Sequence, residues 1–161
     1  MEVVLLIGLQ ASGKSSFYRD RFAETHAHVS MDNFRSNRNP RERQLVLLEE
    51  ALRAGRPVVV DNTNPTPEDR APLLARAAAL GAPVVGYTFE SRLGPCLERN
   101  RAREGKARVP DVALFSTVKR LRPPTFAEGF AALFAVRMDG AGGWHVVAWD
   151  PPPPQPAGPP G

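Results

Sequence analysis

The chain has 161 residues, 42% of them hydrophobic and 24% charged, and carries a formal charge of +4. That length suits one domain with one sizeable core, and the composition is ordinary for a soluble globular protein. A single cysteine, Cys96, excludes an internal disulfide framework and a multi-cysteine zinc site; no apolar run approaches the roughly 20 residues of a membrane span, and an apolar strand starts so near the N-terminus that no signal peptide is expected, which predicts a cytoplasmic protein.

Apolar runs alternate with helical patterns along the chain. Val3–Ile7 is a continuous apolar run, the pattern of a buried parallel strand rather than a half-exposed one. Gly8-Leu9-Gln10-Ala11-Ser12-Gly13-Lys14-Ser15 follows at once, and Ser16–Phe22 reads as the opening of a helix. His26–Ser30 is a short second strand, in which His26 and His28 alternate and point the same way without a third metal ligand nearby. Pro40–Ala54 is helical, with Leu45, Leu48 and Leu52 on one face and Gly55 closing it. Pro57–Asp61 is a third strand, Pro67–Leu80 a helix ended by Gly81, and Pro83–Phe89 a fourth strand. Pro95–Glu104 and Asp111–Leu121 read as helices, the first strongly basic, and Ala132–Met138 and His145–Trp149 are two late strands. Residues 1–150 form the expected domain, while Pro151–Gly161 is proline-rich and lacks large apolar side chains, which predicts a disordered or polyproline-II tail. The rhythm is that of an α/β fold, a parallel sheet of about five strands flanked by helices; together with the glycine loop after the first strand and the basic run after the fourth, it is expected to be a P-loop kinase fold with a basic lid.

In such folds ligands sit beyond the carboxyl ends of the strands. The octapeptide Gly8–Ser15 is a complete G-x-x-x-x-G-K-[ST] pattern between a strand and a helix. Its glycines permit backbone conformations that bring amides together on a polyphosphate at the positive end of the helix dipole. Gly8, Gln10, Ala11, Ser12, Gly13, Lys14, Ser15 and Ser16 are therefore the expected ATP contacts, with Lys14 on the β/γ-phosphates and Ser15 on Mg²⁺. Val58-Val59-Val60-Asp61 fits the apolar strand and aspartate that complete a nucleotide–Mg²⁺ site. Asp32, just past the second strand, is placed to accept the proton of an attacking hydroxyl and is a third candidate metal ligand beside Ser15 and Asp61. Helix capping by Asp32 or Asn33 explains the same residues equally well. Arg35, three residues on, is a candidate for an acceptor phosphate, and Asp61, Thr63 and Asn64 could orient an acceptor or simply form turns. Arg99, Arg101, Arg103, Lys106 and Arg108 form a basic cluster near Gly105; Arg99 and Arg103, four apart, are expected on one helix face of a mobile lid. Trp144 and Trp149 read as packing residues.

The P-loop, Met31-Asp32-Asn33-Phe34-Arg35, Val60-Asp61-Asn62-Thr63-Asn64-Pro65 with Arg70, and Arg99-Asn100-Arg101-Ala102-Arg103 occur in the order of the polynucleotide 5′-kinases. The segment from Val109-Pro110-Asp111 to Phe130 resembles the kinase domain of the eukaryotic polynucleotide kinase-phosphatases, and the Asp-x-x-Arg pair is closer to the bacteriophage enzyme. The likeness covers about Glu2–Val136. It implies transfer of the γ-phosphate of ATP to a 5′-hydroxyl end of DNA or RNA. On it, Asp32 is the general base, Lys14 and Ser15 hold ATP–Mg²⁺, and Arg35 contacts the acceptor's 3′-phosphate. Arg70 falls with the acceptor-binding residues, Asp61 supports the metal or the acceptor, and Arg99 and Arg103 cover ATP, with Arg103 nearest the transition-state charge. Two other readings share the motifs: a kinase of a small-metabolite hydroxyl on a nucleoside, sugar or antibiotic, and a nucleotide-binding switch or adaptor. No membrane partner is expected, and the oligomeric state is left open.

Overall fold

A computed structural model describes residues 1–34 and 38–149, so Arg35 and the proline-rich tail lie outside the described residues. Among the described residues six strands form one sheet: β1 (Val3–Ile7), β2 (Ala27–Val29), β3 (Val58–Asp61), β4 (Val84–Phe89), β5 (Ala132–Met138) and β6 (Trp144–Ala148). Their order is β2-β3-β1-β4-β5-β6. The first five run parallel, and β6 adds an antiparallel edge strand to β5, with Phe134 opposite Ala148. The last hairpin thus extends the parallel sheet that the sequence led us to expect. A tight turn at Asp139 makes it: the carboxylate Oδ1 accepts from the amides of Ala141 (2.7 Å) and Gly143 (2.9 Å).

Five helices among the described residues flank the sheet: α1 (Lys14–Arg21), α2 (Pro40–Arg53), α3 (Pro67–Ala79), α4 (Leu93–Ala102) and α5 (Asp111–Arg120). Proline at the first turn and a side-chain cap start both α2 and α3; Asn39 accepts from the Glu42 amide and Thr66 from the Asp69 amide. Alternate residues of β1 face opposite ways, and both sets are buried. Val3, Leu5 and Ile7 join Val58, Val60, Leu48, Leu52, Leu73 and Ala77 in the layer under α2 and α3. Val4 and Leu6 join Phe17 of α1, Val59, Phe89 and Val136 on the other face. A third cluster, Leu9, Cys96 and Leu114, fixes the α4–α5 pair beside the glycine loop. Cys96 is a buried thiol, and Trp144 packs edge-on against Phe17 with ring centroids 5.2 Å apart.

That tryptophan matters to the site. A Cβ on Gly13, whose φ is +101°, would lie 2.6 Å from the Met138 methyl and 3.0 Å from the Trp144 ring. The β5–β6 hairpin therefore presses directly on the glycine loop, and only glycine fits there.

Candidate active site

The loop after β1 is held from both sides. The Gly8 amide donates to the Thr63 carbonyl (3.0 Å), and the Leu9 amide donates to Ser91 Oγ (3.0 Å). Ala11 adopts a left-handed conformation with φ 62°, a local cost of the kind that ordered functional loops carry. Helix α1 starts at Lys14 with Gly13 as its N-cap and no side-chain cap; its first backbone bond runs from the Phe17 amide to the Gly13 carbonyl (2.9 Å). Helical geometry leaves the amides of the first turn, Lys14 to Ser16, without an i−4 carbonyl, so they face a prospective anion.

Lys14 is buried, and its ammonium donates to the carbonyls of Gly8 (2.9 Å) and Leu9 (2.6 Å). Burial lowers its pKa from 10.5 to about 8, with Asp61 pulling the other way. On the next residue, the Ser15 hydroxyl donates to Asp61 Oδ2 (2.8 Å). His28 Nε2 lies 2.8 Å from the same oxygen. Burial acts to raise the Asp61 pKa, but the bonds from His28 and Ser15 and the charge of Lys14 outweigh it, and the net shift is downward. A hydroxyl and a carboxylate in contact beside a phosphate-binding turn are hard oxygen donors of the kind Mg²⁺ takes when phosphates and water complete its shell. Ser15 and Asp61 thus fit the metal expected from sequence.

Lys14, Ser15, Asp32, Asp61, Asn62, Thr63 and Arg103 line one cleft of about 220 Å³ at the carboxyl end of the sheet. Asp32 sits in a 3-10 turn, Met31–Phe34, that the Asn62 side chain anchors by accepting from the Met31 amide (2.9 Å). Asn39, not Asp32 or Asn33, caps α2, which removes the capping explanation for that helix. The opposite wall is the segment after α4. Asn100 is fully buried and grips Val109 twice: its Nδ2 donates to the Val109 carbonyl (2.7 Å), and its Oδ1 accepts from the Val109 amide (3.0 Å). The excursion between them, with a short 3-10 turn at Gly105–Ala107, carries Arg103 to the cleft. Nothing in the basic run singled out Asn100; a neutral amide among arginines was the available sign.

A second, larger cavity of about 460 Å³ adjoins the first and shares Gln10, Met31 and Thr63 with it. Gln10 Nε2 donates to Thr117 Oγ1 (3.1 Å), which itself donates to the Ala113 carbonyl (2.8 Å). At the rim, Arg41 and Arg120 each lie 3.0 Å from a carboxylate oxygen of Asp69.

Other residues singled out by the sequence find partners within the fold. Arg70 is fully buried, paired to Glu128 (2.8 Å) and donating to the Asn64 carbonyl (2.9 Å), so it braces α3 against the segment after α5 instead of facing an acceptor. Asn64 lines the larger cavity but spends its side-chain amide on the Leu6 carbonyl (2.8 Å), in a left-handed conformation with φ 43°. Arg99 and Arg103 do not share a face: α4 ends at Ala102, and Arg103 is extended. Arg99 Nε donates instead to the Ala11 carbonyl (2.6 Å) and lines a separate small cavity with Ser12 and Met138. Ser16 accepts a bond from Arg19 Nη2 (3.0 Å). Finally, His28, which the strand pattern left without a role, reaches Asp61.

A glycine loop between a central parallel strand and an uncapped helix, with a lysine, a hydroxyl and a strand-end aspartate converging on it, defines a nucleotide-binding P-loop domain of the kinase type. The family model of the AAA domain matches residues 3–124, and the chain belongs to that family. The bifunctional polynucleotide phosphatase/kinase of Schizosaccharomyces pombe is 28% identical over 133 residues, which cover 80% of this chain and 32% of that protein. The chain thus spans about a third of that relative's length. Chaetomium thermophilum Kti12, solved in complex with ADP-AlF3, superposes with a TM-score of 0.71 at 17% identity, over 85% of this chain and 89% of that one. A gluconokinase from Sinorhizobium meliloti 1021 superposes with a TM-score of 0.59 at 22% identity, over 86% and 83%. At these identities the two structures share a fold with this chain. Among the described residues no helix is long and apolar enough to cross a membrane.

Proposed function

We propose that this protein transfers the γ-phosphate of ATP to a 5′-hydroxyl end of DNA or RNA. The observation that carries the reading is the single cleft in which Asp32 stands with Lys14, Ser15 and Asp61, and with Arg103. The loop amides and the Lys14 ammonium bind the polyphosphate. Ser15 and Asp61 would hold Mg²⁺, which when bound neutralises charge on the phosphate oxygens. Asp32 accepts the proton of the attacking hydroxyl as its oxygen bonds to phosphorus and the bond to ADP breaks. Arg103 offsets the charge that spreads over the transferring group. The polynucleotide acceptor is supported by the likeness to the yeast phosphatase/kinase and by the Asp-x-x-Arg pattern at Asp32 and Arg35.

A small polyhydroxyl acceptor is the second reading, favoured by the neighbouring cavity. Its lining balances Arg41 and Arg120 against Glu42 and Asp69 and is rich in amides and hydroxyls: Gln10, Gln44, Thr63, Asn64 and Thr117. Charge balance suits a neutral, hydrogen-bonding guest. Labelled ATP offered in parallel to 5′-hydroxyl DNA, 5′-hydroxyl RNA, a nucleoside 3′-monophosphate and a panel of neutral sugars separates the two. Label on the nucleic acid or nucleotide supports the first reading; label on the sugars alone overturns it. In the same assay Asp32→Asn is expected to lose roughly 10²–10⁴-fold in transfer while retaining ATP binding. Full transfer by that variant removes Asp32 from the base position.

A further inference from the structure

We propose that His28 is a positioning residue that holds Asp61, and through it Ser15, ready for the metal-bound nucleotide. The proposal rests on the ATP–Mg²⁺ reading of the cleft and extends it to a residue that reading leaves unused.

Two donors converge on one oxygen. Asp61 Oδ2 is 2.8 Å from Ser15 Oγ and 2.8 Å from His28 Nε2. Asp61 is buried, and a carboxylate oxygen only accepts, so the shared hydrogen sits on His28 Nε2. The imidazole therefore acts as a fixed N–H donor that locks the carboxylate. The carboxylate in turn takes the Ser15 hydroxyl proton. A hydroxyl has one proton and two lone pairs, so committing the proton to Asp61 leaves its lone pairs for a cation.

The histidine is itself immobilised. Its ring stacks on Tyr18, with centroids 4.1 Å apart and planes 16° from parallel. The Tyr18 hydroxyl donates to the His26 carbonyl (2.9 Å), at the start of the strand that carries His28. Tyr18 is three residues beyond Ser15 on α1, so α1, β2 and β3 are cross-braced around the carboxylate. Partners that orient a metal's ligands in this way typically alter metal affinity about 10–100-fold when lost.

The test is calorimetry of ADP binding with saturating Mg²⁺ and with EDTA, on the wild type, His28→Phe and His28→Gln. Phenylalanine keeps an aromatic ring against Tyr18 and removes the donor; glutamine restores a donor without the ring. The expected result is a loss of about tenfold or more in the affinity gained from Mg²⁺ in His28→Phe, with metal-free ADP affinity within about twofold of wild type and substantial recovery in His28→Gln. Equal weakening with and without Mg²⁺, or no change in either, overturns the role given to His28, as does a glutamine variant no better than phenylalanine. A wild type that gains nothing from Mg²⁺ overturns the metal-site reading of the cleft as well, and so distinguishes the two failures.

Discussion

Lys14 carries the sharpest quantitative consequence of the site. Its ammonium is buried against the Gly8 and Leu9 carbonyls, and burial brings its pKa from 10.5 down to about 8. Holding the charge there costs the unliganded fold about 3 kcal/mol at neutral pH. The sign follows from proton occupancy. Between pH 8 and 10.5 the unfolded chain holds the Lys14 proton and the folded chain has released it, so this group makes stability rise with pH through that window. Bound polyphosphate reverses the preference, because its charge favours the ammonium and lifts the pKa again. Nucleotide binding should then take up about half a proton at pH 8 and weaken roughly tenfold between pH 7 and pH 9, well above the last phosphate ionisation near 6. Calorimetry of ADP binding in buffers of different ionisation enthalpy measures both quantities. Lys14→Met should abolish the proton uptake and most of the binding. It should also stabilise the unliganded protein by about 1 kcal/mol at pH 7, since loss of the carbonyl contacts, about 1 kcal/mol each, offsets most of the relief. Affinity that stays flat from pH 7 to 9, or net proton release on binding, would refute the argument.

Two further expectations separate neighbours that look alike in sequence. Arg70→Met strands the half-buried Glu128 carboxylate and should cost about 3 kcal/mol by denaturant melting, while the acceptor KM of the folded protein stays unchanged; intact stability with a raised acceptor KM would return Arg70 to the acceptor site. Arg103→Ala should lower kcat by roughly 10²–10³-fold with little effect on ADP affinity, whereas Arg99→Ala, which frees the Ala11 carbonyl, should lower ADP affinity and the melting temperature together. Identical behaviour of the two arginine variants would contradict their placement on different sides of the loop.

What was legible in the sequence was local. The strand Val3–Ile7, the loop Gly8–Ser15 and the helix after it are specified by adjacent residues, because a buried strand, a glycine turn and a helix start each have a short-range signature. The helices capped by Asn39 and Thr66 and the strands at Val58–Asp61 and Val84–Phe89 follow the same logic, and with them the α/β architecture. The sequence likewise nominated Lys14, Ser15, Asp32, Asp61 and Arg103, which share one cleft.

Partners distant along the chain were another matter. Arg70 falls with the acceptor-binding residues in the sequence, until Glu128, 58 residues away, arrives to neutralise it. Arg99 and Arg103 read as helix neighbours until the last turn of α4 gives way and Asn100 ties Val109 back against it. His28 has no visible purpose in its strand, because its partner Asp61 belongs to the next strand of the sheet, 33 residues on. A side chain's chemistry is written at its own position, but its burial and its charge partner are set by strand order and helix packing. Those arise only when residues far apart in the chain are brought together, and here they decided which cations brace the fold and which arginine of the basic run faces the cleft.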